Sequence, residues 1–176
     1  MKLLAESTSV AIINTPLQRV DLTEWLFTLK DSEYKACSPD HLAAGNSITA
    51  DGKRMSVNVE QIAGNLLIQH YVEDISKRDH CRVQSISDSI AGAGKTKLQI
   101  IWELKIKNIN PASCELSNNV KVSATTEFLA LMNSLNVTDL QPVADEMLQN
   151  LIHHNNEETP LFAKDIEAKA IKGIWN

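Results

Sequence analysis

The chain has 176 residues, of which 43% are hydrophobic and 22% are charged, and its formal net charge is −5. This length favours a single domain, residues 1–176, whose core needs no metal or disulfide for stability. The negative charge disfavours nucleic acid or an anionic membrane as the main partner, because phosphate binding requires clustered Lys and Arg side chains.

The N-terminal segment predicts a short strand followed by a capped helix. Thr8–Asn14 is rich in β-branched residues and predicts the strand. Thr15 and Gln18 have the spacing of a capping box, and Pro16 suits a first helical position. We therefore expect a helix over Pro16–Leu29, whose apolar stripe consists of Leu22, Trp25, Leu26 and Leu29. A second short helical segment is expected near Ser38-Pro39-Asp40.

The middle of the chain predicts antiparallel strands. Met55–Ile62, Thr96–Ile109 and Val120–Ala130 alternate apolar and polar residues, which is typical of strands with one buried face. Asp51-Gly52 predicts a hairpin turn before the first of them. The polar stretch Asn108–Asn119 favours a loop. The less regular segments Leu66–Ile75 and His80–Ile90 also favour strands.

The C-terminal region Leu140–Lys172 has a helical apolar stripe, and Pro160 interrupts it. Either two helices or one kinked helix fits this pattern. A sheet that buries one face needs a covering layer, and a long helix supplies it. The order of elements predicts an α+β fold.

Three groups of residues are candidates for chemistry. Ala91-Gly92-Ala93-Gly94-Lys95-Thr96 resembles part of a phosphate-binding loop, but a strand follows where a helix is required, so we interpret it as a glycine hairpin turn. His153, His154 and Glu157 are interpreted as a solvated polar helix face, and we predict no metal site and no cofactor. His70 on a strand is a candidate for a histidine that faces a cavity.

The cysteines and the hydropathy pattern bear on location. Cys37, Cys81 and Cys114 are odd in number and widely spaced, which argues against a disulfide framework. No stretch approaches the ~18 apolar residues of a transmembrane helix, and the N-terminus lacks the features of a signal peptide. We predict a cytoplasmic protein without a transmembrane segment.

The stretch Ile12–Val20 resembles the opening of the START/Bet v 1-like superfamily, also called the SRPBCC or polyketide cyclase group, in which a strand ends in an I-x-A-P-x-x-x-V entry to the first helix. Thr15 stands where that group usually has a small residue. Trp102 in the long predicted strand also resembles a tryptophan found in that group. The resemblance covers roughly residues 5–170. It implies a helix-grip fold, in which a curved antiparallel sheet of about seven strands wraps around a long C-terminal helix.

The same resemblance implies a function. Such folds leave a mostly apolar cavity between sheet and helix, so we predict binding of a small hydrophobic molecule of the lipid, polyketide or quinone type. The candidate wall residues are Met55, Val57, Val59, His70, Leu98, Ile100, Trp102, Val122, Phe128, Met147 and Leu151.

Two alternatives stay open. The first is an enzyme of the cyclase or hydratase type, which requires a pocket histidine or carboxylate such as His70 or Glu60. The second is a co-chaperone-like interaction module, which requires an exposed apolar patch. The sequence names neither a ligand nor catalytic residues.

Overall fold

A computed structural model describes residues 1–175, and Asn176, the last residue of the predicted domain, lies outside the described residues. Seven antiparallel strands form one curved sheet in the order β1-β7-β6-β5-β4-β3-β2. The strands are β1 (Lys2–Ile13), β2 (His41–Ile48), β3 (Arg54–Ile62), β4 (Asn65–Ser76), β5 (His80–Ala91), β6 (Gly94–Asn110) and β7 (Ser113–Ala124). The helices of the described part are α1 (Leu22–Thr28), α2 (Asp31–Lys35), α3 (Thr126–Ser134) and α4 (Gln141–Ile171). The predicted α+β helix-grip architecture is confirmed.

The longest strand, β6, has the predicted faces. Leu98, Ile100, Trp102, Leu104 and Ile106 are all buried. They point toward the helical layer, where Trp25 of α1 and Phe162 of α4 pack edge to face at 5.1 Å between ring centroids. Trp25 Nε1 also donates a hydrogen bond to Asp165 of α4 at 2.8 Å. This contact ties the N-terminal helix to the C-terminal one.

The first helix begins later than the capping-box pattern predicts. Leu17–Arg19 forms only a 3-10 turn, and Val20 is extended. Asp21 is the N-cap instead, and its side chain accepts a hydrogen bond from the Glu24 N–H at 3.0 Å. An aspartate at the N-cap satisfies a free helix N–H. Asp21 therefore caps this helix in place of Thr15. The second short helix is α2, which ends before Ser38.

The predicted loop Asn108–Asn119 is wrong. Most of it belongs to β7, which pairs with β6 on one side and β1 on the other. Pairing on both sides satisfies the backbone and overrides the weak strand propensity of Asn and Ser. The predicted strand Val120–Ala130 ends at Ala124, and α3 follows directly.

The C-terminal region is one helix of 31 residues that contains Pro160. Proline removes one hydrogen bond, to the carbonyl of Asn156. Both Asn156 and Pro160 are exposed, so water can solvate the unpaired carbonyl. The helix therefore continues past the proline to Ile171.

Three further expectations concern the β5–β6 connection, the cysteines and membrane-spanning helices. Ala91 pairs with Gly94 across a tight hairpin turn, and Gly94 has a φ of +131° that favours glycine. The hairpin interpretation of this segment is therefore confirmed. Cys37, Cys81 and Cys114 are free and buried. None of the helices in residues 1–175 is long and apolar enough to cross a membrane.

The N-cap of α3 provides a test of this part of the fold. Thr125 Oγ1 accepts a hydrogen bond from the Phe128 N–H at 3.1 Å and donates one to the Lys97 carbonyl at 2.6 Å. Thr125→Ala is expected to lower the free energy of unfolding by about 1–2 kcal/mol. The exposed neighbour Thr126 is the control, and Thr126→Ala should change it by less than about 0.5 kcal/mol. Equal effects of the two variants in urea denaturation would contradict the capping role.

Candidate functional site

A cavity of about 450 Å³ lies between the sheet and helices α3 and α4. The two turns that follow β3 and β5 contribute to its rim. Most of its wall is apolar, and its principal members are Leu98, Ile100, Val122, Phe128, Met147 and Leu151. The few polar groups on the wall include Thr96, Glu146 and Asn150. Apolar walls with few polar groups are typical of sites for small hydrophobic ligands.

A second cavity of about 50 Å³ lies deeper in the fold. It shares Ile62, Leu67, Ile100, Val122 and Leu151 with the large cavity, so the two adjoin. Its remaining lining is more polar, and it includes Tyr34, Asn58, Glu60, Gln69, His154 and Glu158. The large apolar cavity therefore borders a polar region at its deep end.

Four ionisable side chains meet at this deep end, and we name them the His/Glu cluster: His41, Glu60, His154 and Glu158. Their side chains are 0%, 8%, 5% and 7% exposed, respectively. The Nε2 atom of His41 lies 3.1 Å from Glu158 Oε2 and 3.8 Å from Glu60 Oε2. The Nε2 atom of His154 lies 3.4 Å and 3.5 Å from the same two oxygens. Two imidazoles thus face two carboxylates out of contact with bulk water.

The fold places these residues through three elements. His41 is the first residue of β2, and its ring stacks on Tyr34 with 3.7 Å between centroids. Glu60 lies on the inner face of β3. His154 and Glu158 are spaced i, i+4 on α4 and therefore share one face of that helix.

Residues outside the cluster hold His41 and Glu60, the two cluster residues on the sheet, by hydrogen bonds. His41 Nδ1 lies 2.7 Å from the carbonyl of Tyr34. A carbonyl only accepts, so Nδ1 carries a proton and Nε2 faces the carboxylates. Tyr34 donates its hydroxyl to Glu60 Oε2 at 3.0 Å, and Gln69 Nε2 donates to Glu60 Oε1 at 2.6 Å.

The carboxylate of α4 is held in the same way. Asn118 Nδ2 donates to Glu158 Oε1 at 3.0 Å. Trp102 Nε1 in turn donates to Asn118 Oδ1 at 2.7 Å. Buried carboxylates require such partners, because an unpaired buried charge is costly. These hydrogen bonds therefore fix the orientations of the His41, Glu60 and Glu158 side chains.

The charges of the cluster follow from burial and from these contacts. Burial opposes ionisation of Glu158, but the adjacent His154 and His41 outweigh it and lower the pKa of Glu158 to about 2. Burial also opposes the charged form of His154, but Glu158 and Glu60 outweigh it and raise the pKa of His154 to about 11. At neutral pH, His154 and Glu158 therefore form a buried ion pair.

Two tyrosines next to the cluster are kept protonated. Burial, together with the charges of Glu60 and Glu158, raises the pKa of both Tyr34 and Tyr71 well above its usual value. Tyr34 therefore remains a hydrogen-bond donor at all ordinary pH values. The cluster combines carboxylates, imidazoles and a phenol, which are the groups proteins use to move protons and to bind metal ions.

No protein-family model matches the sequence, and no curated protein matches it either. Solved structures share its fold. The Zhui aromatase/cyclase from Streptomyces sp. R1128 aligns with a TM-score of 0.63 and 12% identity, over 93% of this chain and 94% of that one. A protein from Thermus thermophilus aligns with a TM-score of 0.54 and 12% identity, over 95% and 97% of the two chains.

A longer protein aligns as well. The di-domain ARO/CYC StfQ from the steffimycin biosynthetic pathway has a TM-score of 0.59 and 8% identity over 96% of this chain and 52% of StfQ. This chain therefore spans about half of that protein. The chain has the START/Bet v 1-like fold. Identities this low show a shared fold and do not transfer the activity of any of these proteins.

Seven of the eleven predicted wall residues line a cavity in this START/Bet v 1-like fold. Ile100, Val122 and Leu151 line both cavities. The others line only one: Trp102 borders the small cavity, and Leu98, Phe128 and Met147 border the large one. They come from β6, β7, α3 and α4.

The other four predicted wall residues, Met55, Val57, Val59 and His70, line neither cavity. They are half-buried on the outer face of the sheet, because the inner positions of β3 are Ser56, Asn58 and Glu60. Val57 pairs with His70 across β3 and β4, so both point the same way. The expectation that the apolar face of β3 points inward is wrong, because the polar face meets the cluster.

The expected solvated helix face is correct for His153, which is exposed, and wrong for His154, which is buried. The sequence does contain a signal for the buried face. The apolar stripe of α4 continues through His154 and Glu158 to Phe162, all of which are buried. A polar residue within such a stripe indicates a buried partner. The role of His41 has no comparable signal in its neighbours.

Proposed function

We propose that this chain binds a small hydrophobic molecule of the lipid, polyketide or quinone type in the large cavity. The observation that carries the proposal is the cavity of about 450 Å³ with its apolar wall. Ligand sites in proteins typically measure roughly 300–1,000 Å³ and have a few placed polar groups. The START/Bet v 1-like fold supports the proposal in a general way.

The apolar wall provides the driving force for binding. Burial of apolar ligand surface gains roughly 25 cal/mol per Å². Leu98, Phe128 and Met147 cover three different sides of the space, on β6, α3 and α4. A ligand in this position replaces water on all three.

One polar group of the wall favours a ligand with a hydrogen-bonding substituent. Thr96 Oγ1 is buried and has no hydrogen-bond partner within the described part of the chain. Thr96 lines the large cavity. Because a buried hydroxyl without a partner is costly, a ligand oxygen or N–H beside Thr96 would remove that cost. We therefore propose a ligand that is mostly apolar with at least one carbonyl, hydroxyl or similar group.

A cavity-filling variant tests the proposal, with Nile red as an apolar fluorescent probe. Met147 lines the cavity, whereas Met55 is half-buried on the outer face of the sheet. Met147→Trp should weaken Nile red binding about tenfold or more, which corresponds to about 1.4 kcal/mol. Met55→Trp, the matched control, should change the dissociation constant less than about twofold. Equal binding by both variants would place the probe elsewhere and contradict the proposal.

The second candidate function is an enzyme of the cyclase or hydratase type. Glu60, His154 and Glu158 line the small cavity, which adjoins the large one. An imidazole and a carboxylate beside a bound carbonyl compound can accept and return protons. His70, the histidine expected in this role, lies on the outer face. This candidate makes a separate requirement. A compound extracted from the denatured protein must gain or lose the mass of one water molecule when it is incubated with the native protein.

Three further expectations, which concern an interaction module, the location and nucleic acid, stay predictions. No feature within residues 1–175 specifically favours the co-chaperone-like interaction module over ligand binding. The cytoplasmic location and the absence of a nucleic-acid partner also remain predictions, which fit the net charge of −5.

A further inference from the structure

We propose that the His/Glu cluster binds one divalent transition-metal ion, most favourably zinc, with His41 Nε2, His154 Nε2 and Glu60 Oε2 as ligands and Glu158 as the fourth neighbour. Single ligand atoms from His41, Glu60 and His154 all lie within 4.8 Å of one another. This site is separate from the large apolar cavity, and the proposal does not depend on hydrophobic ligand binding.

The four distances between histidine nitrogens and carboxylate oxygens are close to those around a tetrahedral ion. Zinc lies about 2.0–2.2 Å from nitrogen and oxygen ligands, so neighbouring donors in a tetrahedron are about 3.3–3.5 Å apart. The two distances from His154 Nε2, to Glu158 Oε2 and Glu60 Oε2, are 3.4 and 3.5 Å. The corresponding distances from His41 Nε2 are 3.1 and 3.8 Å. These four nitrogen–oxygen distances therefore lie within a few tenths of an ångström of that range.

His41 has the outer contact that metal-binding histidines usually show, and His154 has only a longer approach to a carboxylate. A metal-binding histidine donates its other ring N–H to a carbonyl or carboxylate, which orients the ligating nitrogen. His41 Nδ1 donates to the Tyr34 carbonyl. His154 Nδ1 lies 3.4 Å from Asp40 Oδ2 and has no hydrogen-bond partner among the described residues. Both Nε2 atoms thus point into the cluster.

The carboxylates are oriented similarly. Gln69 holds Glu60 Oε1 and Asn118 holds Glu158 Oε1, while each Oε2 faces the histidines. These hydrogen bonds orient the inner oxygens toward the histidines. Glu60 Oε2 also accepts the Tyr34 hydroxyl at 3.0 Å, so a metal ion would use its second lone pair. Gln69 Oε1 is itself buried without a partner in residues 1–175, so the polar groups of this region are not fully satisfied by the protein alone.

The donor set indicates the class of metal. Two imidazole nitrogens with carboxylate oxygens suit zinc and its neighbours in the first transition series, whereas calcium and magnesium prefer oxygen ligands only. A divalent cation also neutralises two buried carboxylates while both imidazoles stay neutral. Because Glu60, His154 and Glu158 border the small cavity, a bound ion would face it.

A second possible group shares one of these histidines. Asp40, His154 and Glu157 also offer ligand atoms within 4.8 Å of one another. Asp40 and Glu157 are only half-buried, whereas His41, Glu60 and His154 are all buried. We favour the buried group because its donors are held in place by outer hydrogen bonds, and the test separates the two.

The purified protein is first treated with EDTA, and the chelator is then removed. The metal-free protein is titrated with Zn²⁺ by calorimetry. One equivalent should bind, and Zn²⁺ should raise the Tm of the wild type. His41→Ala and Glu60→Gln should each weaken Zn²⁺ binding by at least about tenfold. His153→Ala, which removes the exposed histidine next to His154, and Glu157→Gln are the matched controls and should bind as the wild type does.

Cobalt provides an independent readout. Co²⁺ in the wild type should give the visible absorption of a four-coordinate site, and Glu60→Gln, which keeps the shape of the side chain, should lose it. No binding of Zn²⁺ by the wild type would overturn the proposal. Loss of binding in Glu157→Gln but not in Glu60→Gln would also overturn it, in favour of the half-buried group. Met147→Trp should bind Zn²⁺ normally, so failure of the metal site and failure of the hydrophobic site are distinguishable.

Discussion

Glu158→Ala is expected to lower the free energy of unfolding by about 3–5 kcal/mol at pH 7 in buffer with EDTA. The carboxylate contacts His41, His154 and Asn118, and all three are buried. Removal of one partner from a buried ion pair leaves the other charge without compensation, which is more costly than the loss of an exposed pair. Here the charge left behind is that of His154, whose pKa of about 11 depends on Glu158 and Glu60.

The control for this variant is Glu146→Ala. Glu146 lies on the same helix and is exposed, so its loss should change the free energy of unfolding by less than about 0.5 kcal/mol. Urea denaturation of both variants beside the wild type provides the measurement. A loss below about 1 kcal/mol for Glu158→Ala would show that this carboxylate is not the buried counter-ion of His154.

The stability of the metal-free protein is expected to fall as the pH rises above about 6.5. The pKa of His154 is about 11 in the folded protein and 6.5 for an unperturbed histidine. The folded state therefore keeps a proton that the unfolded state has lost. Stability from this group is fully present below pH 6.5 and is lost as the pH rises toward 11, with a slope approaching about 1.4 kcal/mol per pH unit.

The slope is best measured between pH 7 and 8.5. The pKa values of Cys81 and Cys37 are raised by burial to about 11 and about 12. In the unfolded chain these thiols titrate near 9 and would add to the slope at higher pH. His154→Gln should remove most of the slope in this range, and His153→Gln should retain it. A wild-type protein whose stability is flat between pH 7 and 8.5 would contradict a buried charged His154.

Residue patterns predicted the parts of the fold that depend on local alternation. In β6, every second residue from Leu98 to Ile106 is apolar and every one of these is buried. Such runs predicted most of the strands and the covering helix, whereas the count of about seven strands came from the resemblance to the START/Bet v 1-like superfamily. Thr15 and Gln18 have the spacing of a capping box and predicted a helix start at Pro16. The helix begins instead after Asp21, whose side chain accepts a hydrogen bond from the Glu24 N–H.

The polar part of the candidate site follows from contacts between distant residues. His41 and Glu158 are 117 positions apart, and Asn118 and Glu158 are 40 apart. Glu60 is stabilised on the inner face of β3 by Tyr34, Gln69 and the two histidines of the cluster. Val57 and Val59 therefore lie on the outer face. A rule that assigns apolar residues to the interior therefore chooses the wrong face there. The apolar wall on β6 and α4 has no such conflict, and its residues were named from the sequence.

Native mass spectrometry of the purified protein, before and after denaturing extraction, tests ligand binding most directly. The wild type is expected to carry one hydrophobic compound per chain, which denaturation releases. Met147→Trp should carry much less of it, and Met55→Trp should carry as much as the wild type. Two results would contradict ligand binding in the large cavity. One is an equal amount of the same compound on the wild type and Met147→Trp, and the other is no bound compound on any of the three proteins.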